Sequence, residues 1–218
     1  MSAAPAPIRF YFDFLSPYSY LASALIARGD AGPLDLAYRP VAFGSMLARL
    51  RARGPGEIPS RRRIGLTDVL LLATLHGIPL IGPPTHPFNS IYALRSVCAV
   101  SEEAARGRLV AAYFKKAWAE GRSLEDLAVL RSALDEAGVD QDPEAAATTR
   151  ENREALKANI AEALDAGAWG VPTFAVDGLI FFGHDRLPLL RAYLDGRVTL
   201  DAERLDALLA RPQPGRIV

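Results

Sequence analysis

The sequence predicts an α/β fold in which a small sheet is divided by a large all-helical insertion. Three observations carry the expectation. Aromatic and β-branched runs of strand character occur only toward the two ends of the chain, over Ile8–Asp13, Leu34–Arg39, Thr173–Val176 and Leu179–Phe182. Between Phe43 and about Asp165 the texture is helical, with no convincing strand. A length of 218 residues suits one globular domain carrying a large insertion. The expected division is residues 1–43 and 166–218 for the sheet-bearing unit and 44–165 for the insertion. The two outer pieces must pair, because three or four strands are needed for a stable sheet.

In chain order, Ile8–Asp13 reads as a buried strand. Ser16 and Pro17 follow as N-cap and first residue of a helix through Ala27, and Leu34–Arg39 forms a second strand ended by Pro40. The helical block offers candidates at Gly65–His76, Ser90–Ala105, Arg108–Glu120, Leu124–Ala137 and Pro143–Asp165, the last with a break near Thr148–Arg150. Ser123 with Asp126 has capping-box spacing, and Asp142-Pro143 opens a helix. Two Pro/Gly-rich loops, Gly54–Pro59 and Ile78–Pro87, are long enough to be functional or mobile. Asp177-Gly178 predicts a type I′ turn between the last two strands. Asp185 is expected to cap Arg186–Leu194, and a final helix spans Asp201–Ala210.

Composition narrows the function. Lys+Arg 25 balances Asp+Glu 25, so no overall field favours nucleic acid or an anionic membrane. Arg61-Arg62-Arg63 is the local exception. The single cysteine, Cys98, excludes a Cys-X-X-Cys redox pair, and its apolar neighbours mark it as a structural thiol. The three histidines are scattered, so no metal site is expected. Met1–Pro7 lacks the features of a secretory leader, and the longest apolar run, Val69–Ala73, falls far short of the ~20 residues that span a bilayer. A cytoplasmic protein is the expectation.

The chemistry-bearing segments lie near the ends. Ser16-Pro17-Tyr18-Ser19 falls at a helix N-terminus, where backbone N–H groups favour an anion. It looks like the Cys-Pro-Tyr-Cys of glutaredoxins with oxygen in place of both sulfurs. Ser16 cannot exchange disulfides, but its hydroxyl can donate to a thiolate supplied from outside; alternatively it is an N-cap alone. Val171-Pro172, just ahead of a strand, resembles the cis-proline element of thioredoxin-like proteins, where an extended peptide such as glutathione pairs with the backbone. Asp185 can cap a helix or hold a ligand ammonium, and His184 is either a polar contact or an idle loop residue.

Together these segments resemble one family. Tyr11–Ala22 is similar to the opening motif of 2-hydroxychromene-2-carboxylate isomerases and their kappa-class glutathione transferase relatives. Pro87-Phe88-Asn89-Ser90 with Ala93-Leu94-Arg95 resembles their middle motif; Gly170–Phe174 and Phe182–Leu187 resemble the closing ones. The resemblance implies a thioredoxin-like fold, a homodimer, glutathione as cofactor and a small aromatic substrate. By position, Ser16 would face the glutathione sulfur, Val171 and Pro172 its backbone, and Asp185, with His184 and Arg186 beside it, the γ-glutamyl end. Tyr18, Arg61 and Asn89 are the candidate substrate contacts, the last two for a carboxylate. The chain departs from the family at Ala52 or Arg53, where a Gly-Asn pair is usual, and at Ile64, where an aromatic is expected. An isomerase is the first reading, a glutathione transferase the second, and a non-catalytic thiol- or peptide-binding relative of disulfide oxidoreductases the third.

Overall fold

A computed structural model describes residues 6–212. Residues 1–5 and 213–218, expected in the sheet-bearing unit and including most of the segment read for a leader, lie outside the described residues.

Strand β1 (Ile8–Phe12) leads to α1 (Pro17–Ala27) and β2 (Leu36–Pro40). The chain then runs through α2 (Phe43–Leu50), α3 (Pro59–His76), α4 (Ile91–Cys98), α5 (Glu103–Phe114), α6 (Leu127–Ala137), α7 (Pro143–Thr148) and α8 (Arg150–Asp165). It returns as β3 (Thr173–Val176), β4 (Leu179–Phe182), α9 (Leu187–Leu194) and α10 (Ala202–Leu209). The sheet order is β2-β1-β3-β4. β1 is parallel to β2, with Ile8 opposite Leu36, and antiparallel to β3, with Phe10 opposite Phe174. The distant halves of the chain therefore share one sheet, interrupted by helices as the sequence predicts. Asp177 and Gly178 have φ of 52° and 77°, the positive pair that a type I′ turn requires.

One core joins sheet and insertion. Phe10 stacks on Phe174 at 4.8 Å, and Phe14 meets Phe114 of α5 edge-on at 4.8 Å. Such contacts are worth about 0.5–1.5 kcal/mol each beyond area burial, so the insertion is welded to the strands.

Several boundaries differ from expectation. α2 was not among the expected helices: it lacks a side-chain cap and buries Met46 alone. α3 begins at Pro59, which opens a helix instead of closing a loop, so Arg61–Arg63 lie in its first turns. The expected Ser90–Ala105 helix is two: Glu102 accepts from Ala104 and Ala105 N–H and starts α5 afresh. The expected Arg108–Glu120 helix is the later part of α5, followed by a π-turn at Lys115–Ala119. The helix expected from Leu124 starts at Leu127, capped by Asp126. The break near Thr149 is present, with Thr149 accepting from Asn152 N–H.

Candidate functional site

Ser16 sits where β1 hands over to α1. Its extended backbone (φ −89°, ψ 114°) and the following Pro17 make it the N-cap, and its Oγ accepts the Ser19 N–H at 3.2 Å. The same hydroxyl donates to Val171 O at 3.3 Å, across 155 positions of sequence. The Val171–Pro172 bond is cis, as predicted. α1 carries no acid in its first turn, so its positive end is not neutralised by its own side chains. Ser19, the second serine of the motif, is fully buried, and its Oγ has no partner among the described residues.

The loop that presents Ser16 is held from behind by the insertion. Trp118, 2% exposed, donates Nε1–H to Phe14 O at 2.8 Å. His86 Nε2 lies 2.9 Å from Leu15 O; a carbonyl only accepts, so this nitrogen carries the proton. The His86 ring packs edge-on against Trp118 at 5.5 Å. Neither residue was among the expected site residues. Each is brought in from a helix or loop far along the chain, and no local pattern marks it.

Tyr18, in the first turn of α1, stacks on His184 at 5.6 Å and donates its hydroxyl to Asp68 of α3 at 2.7 Å. Burial, then the Asp68 bond, raises the Tyr18 phenol well above its ordinary range, so it remains a donor at any working pH. Burial also holds His184 below the usual histidine range, against the pull of Asp185 and Asp68. Ser16, Val171, Pro172, Tyr18 and His184 thus converge.

The remaining candidates do not join them so directly. Asp185 does not cap α9. It lies in a single 3-10 turn, His184–Arg186, and the α9 N-cap position is Arg186, without a side-chain cap. Asp185 pairs instead with Arg186 at 2.9 Å on the surface. Asn89 spends its side-chain oxygen on Ile91 N–H at 3.1 Å, capping α4. Arg61 is exposed; it is Arg62 that reaches the loop, with Nη2 3.5 Å from His86 O. Cys98 is half-buried, and burial pushes its thiol up to about 11. Two clefts of about 390 and 510 Å³ flank Tyr38 near the outer edge of β2, but no candidate site residue lines either. Their charged groups Arg39, Glu103 and Arg106 pair with one another.

A serine-tipped helix facing a cis-proline strand entry, on a sheet split by helices, defines a thioredoxin-like protein without a thiol pair. The chain belongs to the family of the DSBA-like thioredoxin domain, whose model matches residues 7–195. It is similar to the 2-hydroxychromene-2-carboxylate isomerase of Sphingobium xenophagum, 29% identical over 86% of this chain and 97% of the relative. It is also similar to glutathione S-transferase kappa 1 of Rattus norvegicus, 26% identical over 90% of this chain and 93% of the relative. A solved 2-hydroxychromene-2-carboxylate isomerase shares the fold with a TM-score of 0.80 at 24% identity, covering 94% of this chain and all of the other. The chain is thus kin to isomerases and glutathione transferases. Among the described residues, no helix is long and apolar enough to cross a membrane.

Proposed function

We propose that this protein is a glutathione-dependent isomerase of 2-hydroxychromene-2-carboxylate or a similar aromatic compound. The observation that supports it most is the Ser16 hydroxyl meeting the Val171 backbone at the N-terminus of α1. Val171 and Pro172 would hold the backbone of glutathione, and the Ser16 hydroxyl, which donates to Val171 O in the free protein, would donate to its sulfur. The donor and the helix end favour the thiolate. Asp185 meets the γ-glutamyl ammonium, with His184 and Arg186 beside it. Tyr18, Arg61 and Asn89 face the substrate, Arg61 and Asn89 as its carboxylate partners.

Bound glutathione would supply a thiolate nucleophile able to add reversibly to a conjugated carbon and so isomerise the alkene without being consumed. Ser16 and the α1 N-terminus would favour its ionised form, and Arg61 and Asn89 would hold the substrate carboxylate. A kappa-like transferase is the second reading, favoured by a similar identity to that class; it forms a stable conjugate. The test follows isomer interconversion spectroscopically while free thiol is counted. Interconversion at constant thiol supports the isomerase, and thiol loss equal to substrate loss supports the transferase. Absence of both across several aromatic substrates overturns the two together.

The same reading takes residues 1–43 and 166–218 as one discontinuous unit around the inserted 44–165, and places the chain in the reducing cytoplasm. It also makes the chain a homodimer. α3 supports this, because it leaves Ile64, Leu70, Leu71 and Leu75 between 57% and 76% exposed. Sedimentation should give a dimer that Leu71→Glu with Leu75→Glu reduces to a monomer.

A further inference from the structure

Asp13 belongs to the opening motif, yet the reading above gives it no part. Its side chain is fully buried at the end of β1. Oδ1 accepts from Leu15 N–H at 3.2 Å and from Ser90 Oγ at 2.6 Å, and Oδ2 accepts from Phe43 N–H at 2.8 Å. These donors come from three separate places: the Ser16 loop, the first residue of α2, and the residue preceding α4. The Asp13 carbonyl also takes the Ser16 N–H at 3.0 Å. Among the described residues no cation pairs with the carboxylate, so hydrogen bonds alone compensate its burial. Ser90 belongs to the middle motif, and the contact joins residues of two motifs that lie 77 positions apart.

We propose that Asp13 is the positioning residue of this site: its carboxylate clamps the Leu15–Ser16 backbone to the starts of α2 and α4, and loss of its charge loosens that loop. The inference rests on the reading of Ser16 as the thiol-facing residue. Protonation cannot leave the clamp intact. A proton on Oδ2 opposes the Phe43 N–H, and one on Oδ1 opposes the Leu15 N–H and forces the Ser90 hydroxyl to reverse. The change falls in an accessible range, because burial pushes Asp13 up to about 6, against bonds from Ser90, Phe43, Leu15 and Phe14.

Few other ionisable groups face the clamp. Arg95 of α4 is turned to Ala147 O, and Tyr113 of α5 bonds Ser96 while packing edge-on against Phe14. α1 and α2 have no acid in their first turns, and the Arg49 of α2 lies in its last turn. His86 is the ring in direct contact with this loop, through Leu15 O.

The test is a pH titration of the Leu15 and Phe43 amide resonances in the ligand-free, isotope-labelled full chain. Both should share a midpoint at about 6. Ser90→Ala should move it up by roughly one unit, the loss expected for a hydrogen bond to a charged group. Ser90→Thr should restore it, His86→Gln should leave it in place, and Asp13→Asn should abolish it. Ser90→Ala carries the test even if Asp13→Asn does not fold. Affinity for S-methylglutathione, which has no thiol to titrate, should fall roughly fivefold as the pH drops through the same midpoint, the loss expected for one hydrogen bond. Amides that do not titrate, or a midpoint that moves with His86→Gln and not with Ser90→Ala, overturn the clamp. Titrating amides without S-methylglutathione binding at any pH support the clamp and overturn the glutathione reading.

Discussion

Replacing Ser16 by alanine separates what this residue does for the fold from what it does for a ligand. Ser16 is 6% exposed, and its oxygen accepts from Ser19 N–H at 3.2 Å and donates to Val171 O at 3.3 Å. Losing an N-cap costs about 1 kcal/mol, and stripping a buried carbonyl of its donor costs about 1 kcal/mol more. For a chain of this size the sum corresponds to a Tm about 4–8 °C lower, measurable by differential scanning calorimetry. On the ligand side, if Ser16 faces the glutathione sulfur as proposed, that sulfur loses its donor. The thiol of bound glutathione should then titrate about one to two units higher, read from thiolate ultraviolet absorbance against pH. Ser16→Asp divides the two effects. Its carboxylate is a competent cap and recovers part of the Tm, but it has no hydroxyl proton and adds like charge. The thiol should therefore titrate at least as high as with alanine. A Tm that falls in Ser16→Ala while the thiol titration stays unchanged would refute the ligand role and leave Ser16 a helix cap.

Three further outcomes follow from named contacts. Because burial raises Asp13 from 3.8 to about 6, the global cost of burying its charge is absent below pH ~4, when the side chain is neutral, and is felt in full as the pH rises through 6, even though the charged form holds the loop locally. Denaturant curves should thus show wild type gaining about 2 kcal/mol relative to Asp13→Asn between pH 7.5 and 4.5; a constant difference would contradict a buried charge. Gly170→Ala would place a Cβ 2.7 Å from Phe182 Cε2, so the ring and the Trp169 packed at a tilt against it must shift. A loss of about 1–3 kcal/mol is expected, and unchanged stability would show that the pair yields freely. Cys98, with its thiol raised from 9.0 to about 11, should be alkylated about 100-fold more slowly than an unperturbed cysteine at pH 8, and equal rates would contradict its burial.

Local patterns reveal the parts of this molecule that depend on neighbouring residues. The I′ hairpin, the caps at Ser16 and Asp142, and the strand runs at both ends were legible because turn chemistry and alternation act over a few positions. α2 was not legible, because an uncapped eight-residue helix with one buried side chain leaves almost no periodic trace. The division between α4 and α5 was hidden because no Gly or Pro interrupts Cys98–Glu103 and an acid ends the gap. The meeting of Ser16 with Val171 was legible from motif order. Trp118, His86 and Asp68 were not, since each is aimed by a packing arrangement that no short stretch of sequence encodes. Asp185 misled for a related reason: an acid before a helix usually caps it, but Gly183 (φ 107°) turns the chain so that the acid meets Arg186 instead.

The grip of Trp118 and His86 on the carbonyls of Phe14 and Leu15 limits how far this chain can be miniaturised. A version pruned to the four strands and their nearest helices would keep every ladder bond, yet it would expose two carbonyls whose direction fixes where the next hydroxyl points. Water can satisfy those oxygens from any angle; a buried indole and the half-buried imidazole packed on it permit only one. Excising the helices between β2 and β3 would therefore strip Phe12 and Phe14 of their aromatic partners and take away the aim of Ser16 as well. In this protein the helices between β2 and β3 serve as the mould in which the Ser16 end of the sheet is set.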